Sequence, residues 1–453
     1  MAGKSSTKLM RILKADEDAF AQEWKALCDR TREVEDDFHS SVVETIGRIR
    51  EEGDAAIRSF LKADYDATPE SIEVTRDEWD AACEAVDPVD RAAIGKAAMR
   101  IRAFHRKRVP SSWEMREEGG AYMGHRVRPL DTVGLYIPRS ETVHPSRVIM
   151  YVTPASVVEV PEIVLATAPD AEGNIAPEVL MAARVAGVHR VFKVGGAAAI
   201  ASMAIGTRVV PRVDKVVGPG ERAANYAKHL LMGDVGIDSP VGESELCVVA
   251  DASATPAWVA ADMLSQAERS VDSQQILITH SKSIASRVHE QMARQMKGLE
   301  GSATAKQALG ARGAIIVTKN QAASIELANQ YASERLVLAL KDADAAHKLV
   351  RNAGAVLLGH YTPVAVGDYI AGPNHVLPTG GAARFGSPLG VDDFLKRTAF
   401  VRFEPPKLRE LGAEVIRLGE VEGVGGAGKS VDLRLQKIRR VRREREAARE
   451  AEL

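Results

Sequence analysis

Histidine runs out early in this chain. His375 is the last of 11 in 453 residues, which excludes an imidazole metal site or proton relay from everything that follows it. Cysteine is scarcer still. Cys28, Cys83 and Cys247 are far apart, odd in number and without a CxxC pair, which excludes a disulfide framework and a zinc ribbon and leaves buried thiols as the expectation. No window approaches the roughly 18 uninterrupted apolar residues of a membrane helix, and the N-terminal Met-Ala-Gly-Lys-Ser-Ser-Thr has no apolar run after its lysine. A cytoplasmic protein without membrane attachment is expected. An excess of charge of either sign is also missing: Lys+Arg number 60 and Asp+Glu 62, a net −2, which removes the global reason to expect nucleic acid as a partner. Only the tail from Lys437 is basic and then mixed, as a solvated helical extension would be.

Ready-made chemical motifs are equally absent. There is no HExxH, HxH or His/Cys cluster from which a metal site follows by spacing. Gly195-Gly196 and Gly218-Pro-Gly220 suit a phosphate cradle, but neither forms GxGxxG, and a tight strand-to-helix turn explains each equally well. Gly423-Val-Gly-Gly-Ala-Gly-Lys429 lacks the spacing of a phosphate loop and follows no clear strand. The serine of Gly242-Glu-Ser-Glu245 lacks the flanking glycines of a hydrolase elbow.

What is present is architecture. A hydrophobic content of 45% over this length supports at least two cores, since single cores rarely grow beyond about 250–300 residues. From about residue 15 to 110, Val42, Val43, Ile46, Ile49, Ile57 and Phe60 recur at helical spacing. Short apolar runs punctuated by Gly and Pro begin near 124. Residues 162–168, 190–194 and 215–217 then read as buried parallel strands separated by helices at 177–186 and 197–204. A second series follows at 245–250, 275–279, 313–317, 335–338 and 354–358. The fold class predicted is α/β: two Rossmann-like doubly wound units with an N-terminal helical segment and a C-terminal helical tail. The boundaries fall at 1–123, 124–243, 244–380 and 381–453.

The block Val366-Gly-Asp-Tyr-Ile-Ala-Gly-Pro-Asn-His-Val-Leu-Pro-Thr-Gly380, followed by Asp-Asp-Phe-Leu-Lys-Arg at 392–397, resembles the signature of the histidinol dehydrogenase family. Further resemblances are Gly134-Leu-Tyr-Ile-Pro138, Val213-Asp-Lys-Val-Val-Gly-Pro-Gly220, residues 237–245, Asp262-Met-Leu-Ser-Gln-Ala-Glu268 and Arg351-Asn-Ala-Gly-Ala-Val-Leu-Leu-Gly359, so the likeness spans about residues 40 to 435. It implies a homodimeric, NAD-dependent, zinc-containing dehydrogenase acting on an amino alcohol. By the same resemblance Ser244 and His375 contact substrate, Gln266 and Asp368 are zinc ligands, Glu334 activates water, Glu422 meets the substrate ammonium and Tyr136 touches the cofactor.

Several positions depart from the family pattern. Arg269 stands where the third zinc ligand is a histidine, Arg335 where the proton-carrying histidine is, and no histidine lies near Ala427 or Gly428 for the fourth ligand. Ala198 and Glu221 replace the amides that meet NAD. A guanidinium with pKa above about 12 cannot serve as a general base. The expectation is therefore an arginine-aspartate pair in place of the metal, weakened NAD binding, and L-histidinol oxidation impaired or redirected to an anionic alcohol bound among Arg139, Arg269 and Arg335. The alternative is a non-catalytic paralogue that binds a small anion or a partner protein.

Overall fold

The computed structural model describes residues 9–30, 36–140, 143–238 and 242–452. The N-terminal stretch read above for a leader, and residues 239–241 inside the 237–245 motif, lie outside them.

Two parallel sheets organise the larger of two compact units, which comprises Met1–Val109 and Pro129–Phe394. In the first sheet the strands lie in the spatial order Arg190–Lys193, Glu162–Thr167, Thr132–Tyr136, Lys215–Val217, Gly236–Ile237. By chain order this is third, second, first, fourth, fifth, the Rossmann arrangement, whose direction reverses between Thr132–Tyr136 and Lys215–Val217. Val133, Val164, Leu165, Val191 and Val216 are buried, as continuous apolar runs must be when helices cover both faces. The N-terminal helices supply part of that cover, for Val42, Ile46, Ile49 and Ile57 share one core with Ile200 and Met203 of the helix Gly196–Ile205.

The second sheet repeats the order. Glu245–Ala250 is central, with Gln274–Thr279 and Ala314–Val317 on one side and Arg335–Ala339 and Ala355–Leu358 on the other. A sixth strand, Arg11–Lys14, pairs in parallel with Ala314–Val317 at the edge. The helical pattern assigned to the N-terminal segment did not include it. Four residues carry no periodic signal, and their basic ends suit a strand with one side open to water. Cys247 is fully buried in the central strand, where burial pushes its thiol above the ordinary value, as expected of an inert thiol.

The second unit comprises Pro110–Arg128 and Leu395–Leu453. Trp113–Glu117 and Ala121–Pro129 form an antiparallel hairpin, with Leu395–Phe403 beside the latter. The C-terminal segment is thus more than a helical tail. Its helices Pro405–Val421 and Gly425–Ala451 pack closely at Gly412, where a Cβ would stand 2.9 Å from Leu435 Cδ1. The glycine-rich run at 423–429 merely opens the second of these helices.

Candidate active site

Parallel α/β topology returns each connecting helix to the amino edge of the next strand. In the second sheet this gathers the chemistry at one place. Ser244 and Glu245 open the central strand, and Glu334 and Arg335 open its neighbour, where Arg335 is in register with Leu246. Gln266 lies near the end of the helix Pro256–Ala267 and Arg269 just beyond it, three residues apart and so on one face. Asp368 comes from the short helix Val364–Tyr369, and His375 from the loop after it.

Hydrogen bonds tie these residues into one chain of contacts. The Ser244 hydroxyl donates to Gln266 Oε1 at 2.9 Å, and Gln266 Nε2 donates to Asp368 Oδ2 at 3.2 Å. Arg269 donates to that same oxygen at 2.7 Å. Arg335 takes the other, with Nε 3.0 Å and a terminal nitrogen 2.9 Å from Asp368 Oδ1. The remaining side of the Arg335 guanidinium lies 2.5 Å from Glu334 Oε1. Glu334 Oε2 in turn accepts from the Glu245 N–H at 2.9 Å, and Arg30 meets Glu245 Oε2 at 2.7 Å. His375 Nδ1 donates to the Asp368 backbone carbonyl at 2.6 Å, which leaves Nε2 as the acceptor nitrogen.

Burial and charge shape the titration of this network. Burial opposes ionisation of Asp368, but Arg335 and then Arg269 outweigh it and hold the carboxyl below its usual range. Burial raises Glu334, and Arg335 offsets this only in part. His375 is pushed down to about 4, chiefly by burial, with the two arginines adding to the effect. Arg335 is 5% exposed and spent on two carboxylates. Arg269 keeps 38% of its side chain exposed.

As donors toward zinc these residues do not fit. Gln266 Oε1 is engaged by Ser244, and both Asp368 oxygens face guanidinium N–H groups, so a divalent ion placed among them would meet two fixed positive charges. Among the described residues, no three His, Cys, Asp or Glu side chains form a metal-holding group.

Sequence reading missed Arg30, Glu245, His144 and Arg147. Arg147, half-buried at the start of the helix Pro145–Val157, forms no side-chain hydrogen bond or ion pair among the described residues, and burial lowers its pKa, with Arg269 adding to the fall. His144 is depressed to about 4 by burial and then by Arg147 and Arg269. The spare positive charge is therefore that of Arg147, beside an Arg269 already paired with Asp368. Arg335 is neutralised, and Arg139 acts on Tyr65, so the grouping of Arg139 with Arg269 and Arg335 is corrected.

The cofactor-side positions lie at the carboxyl edge of the first sheet. Tyr136 ends its central strand, Ala198 is buried in the helix Gly196–Ile205, and Glu221 caps the helix Arg222–Leu230. Glu422 ends the helix Pro405–Val421 in the second unit.

A family model described as histidinol dehydrogenase matches residues 28–435. The chain is 40% identical over 430 residues to the histidinol dehydrogenase of Syntrophotalea carbinolica, spanning 94% of this chain and 100% of that protein. It is 42% identical over 417 residues to that of Thermosynechococcus vestitus, spanning 91% and 97%. The solved histidinol dehydrogenase of Elizabethkingia anophelis shares the fold with a TM-score of 0.90 at 32% identity, covering 95% of this chain and 99% of that one. With near-complete coverage in every comparison, this chain belongs to the histidinol dehydrogenase family.

Proposed function

We propose that this family member has impaired L-histidinol oxidation and that its site accepts a small anionic alcohol, with NAD as hydride acceptor where oxidation occurs. The observation that carries the reading is the position of Asp368 between Arg269 and Arg335. An ion pair occupies the place that resemblance gives to a metal, and a guanidinium stands where the family carries protons on imidazole. Glu334 is the carboxylate to which resemblance gives proton transfer, yet its oxygens are engaged by Arg335 and the Glu245 N–H. Arg147, without an ion-pair partner among the described residues, favours a negatively charged group over a cationic amino alcohol. Homodimerisation belongs to this proposal by resemblance and is read by light scattering. No described helix is long and apolar enough to cross a membrane.

The test is metal analysis of protein purified without chelator, together with NADH formation from L-histidinol and from anionic alcohols. The expected result is zinc far below one per chain and negligible turnover of histidinol. Stoichiometric zinc with ordinary histidinol oxidation, the activity named for the relatives above, would overturn the reading.

The second reading, a non-catalytic paralogue that binds a small anion, is favoured by the carboxylate of Glu221 at the cofactor-side crevice. Anion binding without NADH formation from any alcohol distinguishes it.

A further inference from the structure

In a doubly wound sheet the ligand crevice opens at the carboxyl ends of the strands, where the strand order reverses. In the first sheet that point lies between Tyr136 and Gly218. The two backbones approach so closely that a Cβ on Gly218 would stand 1.9 Å from the Tyr136 carbonyl oxygen. The helix Gly196–Ile205 presents the N–H of Gly196 here, and a helix N-terminus is a ready seat for an anion such as a phosphate.

That seat is filled by the chain's own groups. The Gly196 N–H donates to the Tyr136 hydroxyl at 2.9 Å, and the hydroxyl donates onward to Glu221 Oε2 at 3.0 Å. Glu221 Oε1 lies 3.5 Å from where a Cβ on Gly196 would stand. Tyr65 closes the same place, for its hydroxyl would be 2.3 Å from a Cβ on Gly195. Tyr136 is 1% exposed and cannot swing away, whereas Glu221 is exposed and can. A carboxylate thus takes the anion's position over the helix N-terminus, relayed through one phenol.

We propose that Glu221 sets the affinity of this chain for dinucleotides by acting as an internal anion at the strand-reversal crevice. A diphosphate entering there must displace the carboxylate from Tyr136 and then lie beside its charge. Repulsion between two like charges about 4 Å apart is worth about fivefold in affinity in water, and more in a partly buried site. Neutralising Glu221 therefore gains about fivefold or more in affinity. The inference is independent of zinc and of the Asp368 network, so metal content has no bearing on it.

The test is isothermal titration of the full chain with NAD+, comparing wild type with Glu221→Gln and Glu221→Asn at low and high salt, and with adenosine as an uncharged probe. Thermal melting establishes that the variants are folded. The expected result is at least about fivefold tighter NAD+ binding by both variants, a gain that shrinks at high salt, and unchanged affinity for adenosine. Equal NAD+ affinity in all three proteins, or no binding by any of them, overturns the proposal. An equal gain for adenosine also overturns it, because the effect would then be steric.

Discussion

Arg335 holds Asp368 through two nitrogens on a single carboxylate oxygen, at 2.9 and 3.0 Å, while its far side is 2.5 Å from Glu334. One buried cation thus serves two buried carboxylates. Replacing it by an uncharged chain leaves Glu334 with no counter-charge and Asp368 with Arg269 alone. Arg335→Met is expected to cost about 3–5 kcal/mol of stability, read by urea unfolding, because the loss of one partner strands the others. A cost below about 1 kcal/mol would mean that water or another group compensates.

The same arrangement makes a statement about metal removal. A protein held together here by arginines has no stabilising ion to lose. Dialysis against EDTA is expected to leave the melting temperature unchanged, whereas a resident metal would make it fall on chelation.

Gly218 is clamped on both sides. Its N–H donates to Asp238 Oδ2 at 2.9 Å, its carbonyl accepts from Lys228 Nζ at 2.9 Å, and Lys228 and Asp238 form a buried ion pair. Its φ of +129° and the close Tyr136 backbone leave no room for a side chain. Gly218→Ala is expected to lose at least about 3 kcal/mol, from backbone strain combined with an overlap that backbone cannot relieve. Lys228→Met should cost a similar amount by stranding Asp238. Chemical unfolding of each variant checks both.

Acid sensitivity has an identifiable source in His105. The residue is 1% exposed in the helix Pro88–Arg106, and neither ring nitrogen has a hydrogen-bond partner among the described residues. Burial, followed by Arg108, pushes its pKa down to about 4. Below about pH 6.5 the unfolded chain takes up a proton that the folded state refuses, so stability falls as pH drops from about 6.5 to about 4. His105→Leu removes this dependence. Relative to wild type, the variant should gain about 2 kcal/mol on going from about pH 7.5 to pH 5, measured by urea unfolding at each pH. A constant difference between the two proteins would show that His105 is not the source.

The sheets were legible in the sequence because their strands are two-sided. Residues 246–250 and 163–166 are unbroken apolar runs, which a strand covered on both faces requires. Arg11–Lys14 was not legible, since four residues at an edge carry no period. In the candidate site, Gln266, Arg269 and Asp368 stood out by resemblance, and their mutual contacts follow from helix ends returning to one sheet edge. Tyr65 and Arg147 lay hidden because the groups that they approach, Gly195 and Arg269, are remote in sequence. Tyr65 meets Gly195, and Arg147 acts with Arg269 on His144, contacts that only the folded chain creates.

His144 supplies the most direct readout of the positive field around Arg147. It caps the helix Pro145–Val157, whose N-terminal end disfavours a charged imidazole, and its pKa of about 4 follows from burial and then from Arg147 and Arg269. Removing a neighbouring cation favours protonation, so Arg147→Gln should move the His144 pKa upward. A bound anion should have the same effect on wild type by screening both arginines. Proton NMR titration of the His144 ring in chloride and in sulfate is expected to show a neutral ring through about pH 5 in chloride and a higher pKa in sulfate. In Arg147→Gln the sulfate-induced rise should be smaller, because one of the two cations that hold the anion is gone. An ordinary pKa near 6.5 in wild-type protein, insensitive to sulfate, would mean that Arg147 is already compensated, as Arg269 is by Asp368, and the case for an anionic ligand would lose its electrostatic footing.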